Sequence, residues 1–119
     1  MVKKLSPEDF VASFKLVPRT ALNLFIKTHD GKFVLTKRAK PPFVNYWHIP
    51  GSFLLKNEKI IDCLMRIASF ELGIKPNPKE FRLLNVFENQ NDPRGHILDI
   101  IYGYRATEEK LKPINETKE

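Results

Sequence analysis

Apolar residues repeat with a helical period in two stretches of this chain, and the segments between them read as short strands. Phe10, Val11, Phe14 and Val17 recur at helical spacing. Ahead of them Ser6 can cap a helix, Pro7 suits its first turn, and Glu8 and Asp9 complement its dipole. A helix is therefore predicted from Ser6 until Pro18 stops it. Ile60, Ile61, Leu64, Ile67, Ala68 and Leu72 form one broad apolar face of a second helix over 60–72, which Gly73 terminates. Strands are predicted at 21–28, 33–38, 46–50, 81–88 and 96–106. The first two are joined by a hairpin turn whose Asp30-Gly31 pair suits positive φ. Residues 51–58 and 89–95 read as loops. Helices mixed with hairpin-connected strands predict an α+β fold, a small sheet flanked by helices.

With 119 residues the chain is sized for a single domain, 1–119, able to bury a core without staples. Its apolar runs are only a few residues long, where a membrane span needs ~20. The N-terminus turns acidic before any apolar stretch forms, which is unlike a secretory signal. The expected location is cytoplasmic, with no membrane partner. Cys63 is the single cysteine, so no internal disulfide forms, and it reads as a small buried hydrophobe. Twenty Lys and Arg against 14 Asp and Glu give a formal charge of +6, which favours anionic partners. The basic residues are scattered, and no basic-aromatic strand pattern supports nucleic acid.

Chemistry concentrates between Trp47 and Ile74. A strand enters a loop at Gly51-Ser52, and the loop feeds the second helix, which bears Arg66 and Glu71. Gly51 lets backbone approach a ligand closely, and Glu71 offers a hard oxygen to Mg²⁺. Arg66 can hold a phosphate or lock Glu58 in a forked ion pair. Taken singly, these residues suit an ordinary charged surface helix equally well.

The joint spacing resembles the Nudix box: Gly, five residues, Glu, seven residues, then Arg-Glu-apolar-x-Glu-Glu-x-Gly-apolar. Ser52 takes the box glycine's position. Glu58, Arg66 and Gly73-Ile74 follow at the family's intervals, so the box covers 51–74. Trp47-His48-Ile49-Pro50-Gly51 is similar to the family's lead-in. The resemblance implies a Nudix fold, an α/β/α sandwich with a mixed, mostly antiparallel sheet, in which 1–18 is an added N-terminal helix. Two of the box helix's three glutamates are replaced, by Ile67 and Phe70, and only Glu71 remains.

That replacement is similar to the GDP-mannose mannosyl hydrolase branch of the family. Glu8-Asp9-Phe10, then residues 33–38 with Pro42, Tyr46-Trp47 and Pro50-Gly51, and finally Thr107-Glu108-Glu109 through Pro113 extend the likeness along nearly the whole chain. The branch implies one Mg²⁺ held by Glu71 and the Gly51 carbonyl, with Arg38 and Arg66 contacting the diphosphate or assisting its departure. It implies water attacking the sugar's anomeric carbon, for which one metal suffices. The substrate would be a nucleoside diphosphate sugar or a related nucleotide, and a homodimer is left open.

Other positions depart from the branch. Its strand acid is Asn23 here, an arginine is Phe53, and a tyrosine falls at about Asp99. Its C-terminal histidine and apolar helix have no counterpart in the tail, 107–119. A truncated chain, a different substrate or lost activity would each account for this. The alternative to the enzyme is a catalytically impaired Nudix-like module that binds nucleotide or regulates. His96 is the base candidate within the chain, because an imidazole is the side chain best suited to general-base work near neutral pH. Glu116 could serve only if the tail folded over the site. Phe43 and Tyr46 are the candidates for stacking on a nucleobase, and Trp47 is assigned to the core. Asp99 could replace a lost oxygen ligand. His48 is given no catalytic role.

Overall fold

The computed structural model describes residues 2–106. The chain starts with helix α1, Pro7–Leu16, where Ser6 accepts the Asp9 amide as the cap residue's side chain should. Strand β1, Arg19–Lys27, follows at once. The hairpin turn forms, with Gly31 at φ +84° and its N–H bonded to Thr28 O at 3.0 Å. The predicted return strand does not run to Arg38. It contacts β1 only around Phe33 and Val34, then peels away as β2, Thr36–Lys37, which pairs with β3, Trp47–His48. The edge of β1 is taken instead by β4, Gly51–Phe53, in a segment expected to be loop.

Helix α2, Ile60–Leu72, matches its predicted limits, and Gly73 ends it in the left-handed conformation at φ 68°. A single 3₁₀ turn, Pro78–Glu80, leads to β5, Arg82–Asp92, and β6, Gly95–Arg105. β5 runs on to Asp92, past its predicted end at Glu88, and β6 starts one residue earlier than predicted, so the expected 89–95 loop shrinks to a tight turn around Pro93-Arg94.

The main sheet has the order β4-β1-β6-β5. Only β1 and β6 are parallel, with Ala21 opposite Asp99; the other pairs are antiparallel. The sheet is therefore mixed, as expected. One face is dry: Leu22, Leu24 and Ile26 of β1 are fully buried with Cys63, Leu64, Ile67 and Ala68 of α2. On the other face α1 lays Phe10 and Phe14 against Ala21, Phe53 and Ile97. The rings of Phe10, Phe14 and Phe53 meet edge to face at 5.2–5.5 Å, and the Arg19 guanidinium lies 4.9 Å from the Phe53 ring centre.

Cys63 is buried, as expected, but Trp47 is exposed rather than in the core, with Lys37 Nζ 5.9 Å from its ring. It sits on the short β2–β3 ladder, outside the main sheet. Among the described residues no helix is long and apolar enough to cross a membrane. The tail at 107–119, with Glu116 and the branch-like segment beginning at Thr107, lies outside the described residues.

Candidate active site

The box loop is held by one arginine. Arg66 donates from Nε and Nη2 to the two Glu58 carboxylate oxygens, each at 2.9 Å. It also donates from Nη1 to Ser52 Oγ at 2.8 Å and from Nη2 to Phe53 O at 3.1 Å. Glu58 in turn accepts the Leu55 amide at 3.1 Å. The eight-residue interval between Glu58 and Arg66 thus ties β4, the loop and α2 together. Of the two roles open to Arg66, the structure displays the forked lock on Glu58. Burial alone would raise the Glu58 pKa, but Arg66 and the Leu55 amide outweigh it and hold the carboxyl below its ordinary range.

The two replaced glutamates go separate ways. Ile67 joins the apolar core under β1, while Phe70 is exposed. Glu71, four residues after Ile67, is on the helix's inward side and only 3% exposed. Gly51 presses on β1: a Cβ there would come within 2.6 Å of Asn23 Oδ1 and 2.9 Å of Leu22 O, so only glycine fits.

Beyond the reach of α1, the wetter sheet face opens into a cleft of about 130 Å³. Gly51, Asn23 and Asp99 line it, together with Arg38, His48 and the pair Asp92 and Arg94. Asn23 Nδ2 donates to Asp99 Oδ1 at 3.0 Å. Arg94 grips Asp92 through Nε and Nη2 at 2.9 and 3.0 Å. Arg38 is buried, and its guanidinium is steadied by the Pro41 and Pro42 carbonyls. Burial raises the Asp99 pKa, with Asp92 adding to the rise and Asn23 opposing it. Burial lowers the His48 pKa, and the charges of Arg38 and Arg94 lower it further. Asp92 is pushed up by burial but held down on balance by Arg94. Asp92 and Arg94 neutralise each other and His48 favours its neutral form. Arg38 joins Arg94 in lowering the Asp92 pKa, so the cleft holds two arginines, one carboxyl held low and a second, Asp99, raised by burial.

The structure brings Arg38 and Gly51 to the cleft. Glu71 and Arg66 are not among its walls. Phe43 and Tyr46 stack on each other, with centroids 6.0 Å apart and planes 17° apart, both exposed on the loop after Arg38. His96 is held 2.8 Å from Glu88 on the β5–β6 hairpin and does not line the cleft. His48, Asp92 and Arg94 do line it, and sequence reasoning assigns none of them a part in the site. Asp92-Pro93-Arg94-Gly95 is legible as a turn, but no local signal shows that the turn overhangs β1.

A divalent ion is tested by the donors available. Among the described residues no three His, Cys, Asp or Glu side chains cluster as metal ligands. Glu71 on α2 supplies one buried carboxylate, a donor type suited to an ion that keeps waters and shares its coordination with substrate phosphates, as Mg²⁺ does.

The sequence matches the NUDIX domain family over residues 17–119. It is 31% identical over 120 residues to an ADP-ribose pyrophosphatase of Methanocaldococcus jannaschii, covering 98% of this chain and 69% of that protein. A MutT/nudix family protein from Enterococcus faecalis superposes with a TM-score of 0.77 at 24% identity, covering 97% of this chain and 49% of that one. A bifunctional NMN adenylyltransferase/ADP ribose pyrophosphatase from Francisella tularensis, complexed with AMP and a manganese ion, superposes at 0.72 with 16% identity. That superposition covers 94% of this chain and 38% of the other. The chain thus spans about half of the Enterococcus protein and about two thirds of the archaeal one. Box spacing, sandwich and family match agree, and the chain belongs to the Nudix hydrolase superfamily.

Proposed function

We propose that the chain hydrolyses a nucleoside diphosphate joined to a sugar, with ADP-ribose the first compound of that class to try. The observation that supports this reading is the cleft, where Arg38 and Gly51 share a wall with Asn23 and Asp99; there Arg38 would meet the diphosphate, and Asn23 and Asp99 would offer hydrogen bonds to hydroxyls. At about 130 Å³ it is smaller than the ~300–1,000 Å³ of ordinary ligand pockets, so it would take one portion of such a ligand. The archaeal relative favours ADP-ribose over the GDP-mannose that the box departures suggested. Glu71 and the Gly51 carbonyl would hold Mg²⁺, which when bound would neutralise charge on the diphosphate. Arg38 would bind the diphosphate, and Arg66 would act through the loop it locks. Asp99, held by Asn23, would accept or donate a hydrogen bond at the sugar. Phe43 and Tyr46 offer a stacking surface near Arg38, outside the cleft itself.

A second reading is favoured by Ile67 and Phe70. Without carboxylates at those two positions the site is poor at activating water against phosphorus, and attack at the anomeric carbon, with nucleoside diphosphate leaving, asks less of the metal. Turnover of ADP-ribose and of GDP-mannose in H₂¹⁸O separates the two. Label in phosphate from ADP-ribose, whose terminal ribose is joined through its 5′ carbon, is expected for the first reading, and label in the sugar of GDP-mannose, joined through its anomeric carbon, for the second. In either case Glu71→Gln should remove the Mg²⁺ dependence. Binding without turnover of any nucleotide sugar would reduce the chain to a nucleotide-binding module.

A further inference from the structure

The turn between β5 and β6 brings to the cleft a cation that the hydrolase reading leaves without a task. Arg94 lines the cleft together with Arg38. Its backbone and its side chain are both fixed within the chain. Asp92 accepts from Nε and Nη2 at 2.9 and 3.0 Å, and the same carboxylate accepts the Arg94 amide at 2.9 Å. The guanidinium also lies against the Phe53 ring, 5.2 Å from its centre. The turn is pinned to α1 as well: at Gly95, φ +149°, a Cβ would come within 3.2 Å of the Phe14 side chain.

This hold differs from the one on Arg66. Arg66 uses Nε, Nη1 and Nη2 on the box loop, whereas Arg94 commits Nε and Nη2 alone. Among the described residues its Nη1, with two N–H donors, makes no hydrogen bond. The Asp92 side chain is 8% exposed and that of Arg94 22%, so the carboxylate is the covered member of the pair and the cation the presented one. Arg38 acts in the same neighbourhood. Both arginines lower the pKa of Asp92, and both lower that of His48. One ionised carboxylate thus stands in the field of two guanidiniums and cannot offset both.

We propose that Arg94 binds the second phosphate of a diphosphate through Nη1 while Arg38 meets the first, and that the two arginines together select a diphosphate over a single phosphate. This inference rests on the nucleoside diphosphate reading above. A diphosphate carries its charge on two phosphorus centres, so each arginine can meet its own. A single phosphate would have to draw both arginines to one point, and Arg94, tied to Asp92 and laid on Phe53, is held against that movement. Asp92 and Phe53 are then positioning residues. They orient the guanidinium in advance, which lowers the entropy cost of capturing the ligand.

The test is calorimetric titration of the full chain, with Mg²⁺ present, by the α,β-methylene analogue of ADP-ribose, whose diphosphate resists hydrolysis. AMP is the single-phosphate control. Arg94→Ala should weaken binding of the analogue about tenfold or more and of AMP by less than about threefold. Arg94→Lys keeps a charge but loses the fork to Asp92, so it should recover the affinity only in part. In phosphorus NMR of the saturated complexes, Arg94→Ala should move one of the two phosphorus signals toward its free position and leave the other in place, which a loosened fold would not do. If Arg94→Ala does not fold, Arg94→Lys carries the same comparison. Undiminished affinity for the analogue, equal losses for analogue and AMP, or equal movement of both signals would overturn the role of Arg94 and leave the hydrolase reading standing. A wild type that binds no analogue would overturn both.

Discussion

The two faces of β1 show opposite solutions built from alternate residues of one strand. Leu22, Leu24 and Ile26 are sealed beneath α2, while Asn23, between the first two, bonds Asp99 in an open cleft. Strand geometry explains the alternation and helix geometry explains the asymmetry. A 13-residue α2 covers its face, but α1 has only 10 residues, roughly 15 Å, against roughly 30 Å for the nine residues of β1. Its two phenylalanines cover one end of the second face. The uncovered remainder is where polar residues can stand at a desolvation cost that neighbouring polar and charged groups partly offset, as Asn23 does for Asp99 and Arg94 for Asp92. Stability and ligand chemistry are thus separated by a single residue step, and they should be separable by mutation.

The largest effect belongs to the dry face. Leu24→Ala should cost about 2–5 kcal/mol in chemical denaturation, while each folded molecule keeps its nucleotide affinity. A loss of affinity at saturating fold would break the separation. Next comes the lock between them. Glu58 is held below its ordinary pKa, so its contribution is present above the usual carboxylate range and is lost as pH falls through the depressed value. Glu58→Gln should lower stability near neutrality by about 1 kcal/mol, because Arg66 is partly exposed and water screens the pair. It should also flatten the acid limb of the stability curve; an unchanged limb would mean the lock contributes nothing to acid unfolding. The smallest effect lies on the wet face. Asp99 has a raised pKa, so its contribution is full below the unfolded value and is lost as pH rises through the folded one. Asp99→Asn should therefore raise the melting temperature slightly at neutral pH and leave it unchanged in acid. Destabilisation at neutral pH would instead mean that the bond to Asn23 outweighs the cost of burying the charge.

The sequence disclosed what is decided locally. Ser6-Pro7, the apolar face of α2 and Gly73 mark both helices because caps and helical period act within a few residues. The box arginine and glutamate were legible as a forked pair for the same reason. Long-range choices stayed hidden. Residues 33–38 have strand character, but their partner switches from β1 to Trp47–His48, and β4 takes the position left open. The cleft was the least legible part, since Asp99 meets Asn23, and Arg94 comes to the same cleft, only after β6 lies parallel to β1.

That parallel pairing also governs the order in which the molecule can assemble. Asn23 and Asp99 are 76 positions apart in the chain, while β5 and β6 meet across a tight turn. A hairpin closes in ~1–10 μs, whereas pairing of distant segments must first overcome the entropy of a long loop. During synthesis β1 leaves the ribosome early and then waits for β6, so for most of that interval its three sealed side chains have no strand beside them on that edge. The same side chains that make the finished core dry are, at that stage, open to aggregation or capture by a chaperone.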